Sequence, residues 1–217
     1  MRSVSFIVAG VLAIGTATAQ AQTQGATGPY ATFTTGATVG GAGGMFGADL
    51  GWRLNLSWDV FLEGGRMLNT KMAEMDTAAA VVAQYLAAVS GKTASAADVR
   101  QPANYFSAGI RYKFPTTGRV QPYAALGIGG GKVERRASFL VDGTDVTVQL
   151  PGAPYHVVLG GDLSGSEIGT LFTFGGGAQF DLRGRFFADA SYRFGRFFLA
   201  DGGVNTNRLQ FGIGARF

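Results

Sequence analysis

The feature that most constrains this chain is the strict alternation at its C-terminus. Leu209, Phe211, Ile213, Ala215 and Phe217 are apolar, and Arg208, Gln210, Gly212, Gly214 and Arg216 lie between them. Period two sends the two sets to opposite faces of a β-strand. About ten residues is also the length at which a tilted strand crosses a bilayer. A soluble strand resting one face on a core alternates as well, so a single segment leaves both readings open.

Repetition decides between them. Upstream, Phe186–Phe194, Phe172–Leu182, Ala124–Ile128, Phe106–Phe114, Val60–Glu63 and Phe46–Leu54 alternate in the same sense, with glycine, serine or charge on the second face. A first strand near Tyr30–Val39 is less regular, because Thr and Gly occur on both faces. The total is eight, the even number that a bacterial barrel requires. The connections alternate in length too: tight at 55–57, 115–118 and 183–184, long at 68–103, 133–168 and 196–206. Short periplasmic turns opposite long extracellular loops are the expected asymmetry. The fold predicted is all-β, an eight-stranded antiparallel up-and-down transmembrane β-barrel over residues 22–217.

Residues 1–21 are read as a cleaved secretory signal. Arg2 gives a positive start, Phe6–Ile14 an apolar stretch, and Ala17-Thr18-Ala19 and Ala19-Gln20-Ala21 both offer small-x-small cleavage sites, the second preferred. That stretch is too short for a membrane-spanning helix, which needs about 20 residues. Downstream, Ala78–Val82 is apolar but Gln84 and Lys92 interrupt it. Hydrophobic residues make up 47% and charged ones only 15%, low for a soluble domain. With no cysteine and one histidine, disulfides, thiolate metal sites and multi-histidine metal sites are excluded, and no cofactor is expected. The net charge of +4 comes from Lys and Arg scattered singly, unlike a nucleic-acid-binding face.

Three segments carry a family resemblance. Pro122-Tyr123-Ala124-Ala125-Leu126-Gly127-Ile128-Gly129 resembles the fifth strand of small outer-membrane barrels of the OmpA, OmpX and opacity-protein type. Ala190-Ser191-Tyr192-Arg193-Phe194 resembles their seventh strand, and Gly212–Phe217 their terminal assembly signal. The resemblance implies localisation in the bacterial outer membrane and folding by the outer-membrane assembly machinery. Leu209, Phe211, Ile213, Ala215 and Phe217 would form the recognised signal.

If the apolar set faces lipid, Asp49, Arg53, Glu63, Arg111, Lys113, Asp189, Arg193 and Arg208 share the lumen. Eight strands leave an interior just wide enough for side chains, so these ions must pair. Glu63 with Arg111 is the pair expected, since both face inward on adjacent strands and the resemblance implies such a lumen pair. Inward Gly109, Gly127, Gly129, Gly175, Gly177, Gly212 and Gly214 make room for long side chains. Trp52 and Trp58, beside one short turn, suit a periplasmic aromatic belt.

In the loops, Asp76–Val89 is predicted as a helix capped by Asp76 or Thr77, ended by Gly91 and packed on the barrel rim. Ala137–Val141 and Thr144–Leu150 read as a hairpin about Asp142-Gly143. Lys132, Arg135 and Arg136 are candidate contacts for lipopolysaccharide phosphates. Gly127–Lys132 looks like a phosphate loop but lacks its glycine spacing and terminal Ser or Thr. His156 has no recognisable catalytic serine motif nearby. The leading functional expectation is a non-enzymatic structural or surface-interaction protein whose loops meet a host or cell-surface ligand. A narrow or gated pore for ions or small solutes is the alternative, and a lipid A-modifying enzyme the third.

Overall fold

The computed structural model describes residues 27–39, 43–70, 73–200 and 202–217; residues 1–21, read above as a secretory signal, lie outside them. Among the described residues there are ten strands: β1 (Gly28–Val39), β2 (Gly43–Arg53), β3 (Trp58–Met67), β4 (Ala94–Arg100), β5 (Ala103–Lys113), β6 (Val120–Val141), β7 (Thr144–Asp145), β8 (Gly165–Asp181), β9 (Phe186–Leu199) and β10 (Gly202–Arg216). One helix, α1 (Ala73–Ser90), precedes β4. Eight strands form a closed antiparallel ring in the order β1-β2-β3-β5-β6-β8-β9-β10. The seam is β1 on β10, in register from Tyr30↔Arg216 to Val39↔Asn207. Closure leaves no unpaired edge inside the bilayer, the condition for a sheet to survive there.

Side-chain alternation follows the sequence pattern. Phe33, Leu50, Leu62, Phe106, Leu126, Phe172, Phe211 and Ile213 are exposed on the outer wall, while Asp49, Glu63, Ser107, Thr173 and Gln210 are buried inside. At one end lie the tight turns. Asn55 Oδ1 accepts the N–H groups of Ser57 and Trp58, each at 2.9 Å, a side-chain-built turn. Gly184 (φ +69°) makes the turn before β9 possible in a conformation that favours glycine. Trp58 packs against Tyr112 with ring centres 4.9 Å apart and planes tilted by 59°, and Phe114 meets Tyr112 edge-on. With Trp52, these rings form the aromatic belt at this end.

The outer wall turns polar about ten residues above that belt. Arg66, Asn104, Lys132, Thr170, Arg196 and Asn207 each stand on the outer face of a different strand. Ten residues at about 3.3 Å rise and about 40° tilt span roughly 25 Å, the height of an outer-membrane apolar band.

Above this level three expectations need correction. The segment 196–206 is not a long loop, because β9 and β10 continue as a ladder to Leu199 and Gly202. The segment 133–168 is only partly loop, because β6 runs to Val141 and β8 starts at Gly165, paired up to Arg135↔Gly165. Apolar-out alternation ends where lipid ends, but backbone pairing continues into water, so hydropathy stops short of the strand. The predicted hairpin about Asp142-Gly143 keeps its turn, with φ of 47° and 78°. Its second arm is only Thr144–Asp145, followed by a 3-10 turn at Thr147–Gln149.

The first long connection is also structured. α1 starts at Ala73, three residues before the expected caps, and Gly91 (φ +65°) ends it. β4 was not anticipated. It pairs with the upper part of β6, Ala94↔Val141 to Arg100↔Arg136. The small residues Ala94, Ser95, Ala96 and Ala97 give it no strand signature. α1 packs Met75, Ala79, Ala83 and Leu86 onto Ala137, Phe139, Val141, Val146, Leu150 and Leu163. The result is a small second hydrophobic core standing outside the membrane. The helix therefore packs on a wall extension, as a cap.

Candidate functional site: a sealed lumen and an external cap

The lumen is layered. At the end with the tight turns the Lys113 ammonium lies 2.6 Å from Asp59 Oδ2, both side chains 0% exposed, with Arg53 3.9 Å from the other oxygen. Arg216 pairs with Asp181 at 2.7 Å beside them. The next layer holds Arg111, which donates to Asp49 Oδ2 at 2.8 Å and to the Tyr30 hydroxyl at 2.9 Å. Its guanidinium also lies 4.5 Å from the Tyr123 ring centre, and Tyr123 donates to Asp189 at 2.9 Å. Higher again, Glu63 Oε1 accepts from Arg208 (2.8 Å), Tyr105 (2.9 Å) and Gln210 (3.2 Å). Arg193 lies 5.1 Å from the Phe61 ring centre.

All eight lumen charges expected from sequence thus point inward, but the expected partner is wrong. Glu63 pairs with Arg208, and Arg111 with Asp49. The register alone does not choose between the carboxylates: Asp49 stands opposite Glu63 and Arg111 opposite Asp59, so both acids lie four residues up the strands from Arg111. Arg111 reaches Asp49 across the lumen, and Glu63 is taken by another cation. Arg208, 145 positions away in the chain, arrives instead through barrel closure. Asp59 was missed, although it lies two residues before Phe61 on the inner face, so extending the alternation finds it. The inward aromatic rings were missed as partners. They stand over glycines: an added Cβ at Gly51 would meet the Tyr30 ring at 2.1 Å, and one at Gly214 the Phe187 ring at 2.3 Å.

Two features close this interior. Between the ionic layers remains a cavity of only about 10 Å³, bounded by Asp49, Glu63, Arg111, Asp189 and Arg193 among others, about the room for a single water. Above Glu63 the inner face becomes apolar: Met45, Met67, Tyr105, Val133, Leu171, Phe197 and Val204 are all 5% exposed or less and pack together. Below they meet fixed charges, above they meet the cap.

On the cap, the Thr93 hydroxyl donates to Asp142 at 3.0 Å and Lys92 lies 3.4 Å away. The hydrogen bond first, then the ammonium, holds the Asp142 carboxyl below its usual range. The three candidate lipopolysaccharide contacts do not act together. Arg135 faces the inner side and is held by Glu167 (3.1 Å) and the Gly161 carbonyl (3.1 Å). Lys132 and Arg136 face outward but share Glu134. Adjacent residues on a strand point to opposite faces, which separates Arg135 from both. His156 is exposed on the cap loop, at φ 52°.

The fold recurs among solved outer-membrane barrels. The N-terminal β-barrel domain of Pseudomonas aeruginosa OprF is 15% identical, with 88% of this chain and all 100% of that one covered, at a TM-score of 0.50. Neisserial surface protein A is 16% identical over 90% of this chain and 98% of its own (TM-score 0.47). Ail of Yersinia pestis is 17% identical over 87% and 97% (TM-score 0.46). At 15% identity and a TM-score of 0.50 the OprF likeness speaks for fold alone. A comparison with curated proteins finds no match. The model of the outer membrane protein beta-barrel domain, however, matches residues 9–217. The chain belongs to that family, and it resides in the bacterial outer membrane.

Proposed function

We propose that this protein is a sealed, non-enzymatic barrel that acts at the cell surface through its cap. The observation that carries this reading is the double closure of the lumen. Ion pairs fill its lower part, and a layer headed by Met67 and Phe197, both 0% exposed, fills its upper part. A hydrated ion needs far more room than one water site, and an apolar constriction resists wetting. The cap, in contrast, offers surface. Helix α1 buries one face on β6 and presents Val81, Tyr85 and Val89, 60%, 48% and 41% exposed, at spacings of four along another. Between Thr77 and Ser90 the helix carries no charge, unlike an ordinary solvated helix face. Exposed apolar patches of this kind mark interaction sites.

Single-channel recording tests the reading. Purified, folded protein in a planar bilayer should be electrically silent. Stable unitary conductance would replace this proposal with a pore, and Glu63→Ala would then be expected to alter it.

A further inference from the structure

Strand register brings together a second feature, on the outer wall and away from lumen and cap. Across β2, β3, β5 and β6, Phe46, Arg66, Asn104 and Lys132 stand directly opposite one another in one row. Directly opposite residues share a face, so this is a lipid-facing row at the level where the wall turns polar. The adjoining row toward the membrane centre is Ala48, Gly64, Phe106 and Gly130. The next is Leu50, Leu62, Ala108 and Ile128. Phe106, 60% exposed, therefore rises beside a position with no side chain. A Cβ at Gly64 would meet nothing nearer than the Tyr105 carbonyl at 3.6 Å, an ordinary contact, so a side chain is tolerated there. Over Gly130 the Phe106 ring itself approaches, at 3.5 Å. The trough thus has Ala48 and Gly64 as floor, Phe106 and Leu62 as walls, and cations at its upper end.

Of those cations, Arg66 makes no hydrogen bond or ion pair with a described residue, and Lys132 and Arg136 share the single carboxylate of Glu134. Counting Arg66, Lys132 and Arg136 against Glu134 leaves an excess of two positive charges. Arg66 and Lys132 are two strands apart, about 10 Å between backbones. Both long side chains can converge on one anion between them, with the Asn104 amide beneath. An arginine at this boundary lies where its long side chain reaches the headgroup level, and the fork of its guanidinium suits phosphate oxygens.

We infer that this row is a binding site for a phosphorylated, acylated lipid of the outer leaflet, phosphate at Arg66 and Lys132 and an acyl chain over Gly64 beside Phe106. It depends on the position of the wall in the membrane and not on what the cap or the lumen does.

The test measures lipid retained per folded barrel by native mass spectrometry, after detergent extraction from vesicles of phosphatidylethanolamine with bisphosphorylated lipid A. The Arg66→Gln/Lys132→Gln double variant should retain at least about five-fold less lipid A. Gly64→Leu, which keeps every charge and has room for its side chain, should lose a similar amount. Both should migrate as folded barrels on unheated gels, and dephosphorylated lipid A should be retained at the level of the variants. Arg196→Gln removes a cation at the same level on another wall and should change nothing. Unchanged retention in either test variant overturns the inference. Equal loss with Arg196→Gln does so too, since attraction would then be general. Displacement by millimolar inorganic phosphate would mean that the row takes the free ion, and would equally overturn a lipid site.

Discussion

Glu63→Leu is the perturbation that most directly examines how this barrel is held together. The carboxylate accepts three hydrogen bonds and is the charge partner of Arg208, whose side chain is 0% exposed. Removing it leaves a guanidinium buried without its counter-ion, a loss of about 3–5 kcal/mol. Changing both partners to apolar residues of similar volume, Glu63→Leu with Arg208→Met, removes the uncompensated charge and should cost much less, roughly 1 kcal/mol or below. The double-mutant cycle should therefore show a coupling of at least about 2 kcal/mol. The same cycle on Glu63 and Arg111 should be nearly additive, within about 0.5 kcal/mol, because Arg111 bonds Asp49. Reversible urea unfolding in short-chain lipid vesicles reads these values. Trp52 and Trp58, the only two tryptophans, report from the lipid-facing wall. A single-variant loss below about 1 kcal/mol would refute the argument that the pair is both buried and matched. Larger coupling to Arg111 than to Arg208 would refute the pairing.

Two further outcomes follow from the same geometry. Gly129→Ala would place a methyl 2.0 Å from the Phe106 carbonyl, a backbone atom that cannot yield. That protein should fail to reach the heat-modifiable folded form, whereas Gly64→Ala, whose methyl meets nothing nearer than 3.6 Å, should fold normally. In the cap, Phe139→Ala removes a side chain that is 0% exposed, at a local cost of about 3–5 kcal/mol. Tryptic cleavage near Lys92 and Arg100 should accelerate while the barrel itself stays folded; equal protection in both proteins would show that α1 and β4 do not depend on this core.

Much of the architecture could be read from residue order, because a strand's two faces are a local property. Leu209 to Phe217 reveal which way each side chain points with no knowledge of any neighbour, and the same holds for Asp49, Glu63, Arg111 and Arg193. Glycine on the inner face likewise announced a crowded lumen. What the chain order could not disclose was which inward charges meet. That depends on the closure of the ring, which carried Arg208 to Glu63, and on the reach of Arg111 across the lumen, which took it to Asp49. Nor could hydropathy follow β6 and β8 above the lipid, where outward side chains become polar while the ladder goes on. β4, built of Ala and Ser, is a strand only because β6 offers it an edge and α1 covers it. The row of Arg66, Asn104 and Lys132 exists for the same reason: positions far apart in the chain become neighbours when register is set by closure of the whole ring. Facing is decided residue by residue, whereas partnership is decided once, by the barrel.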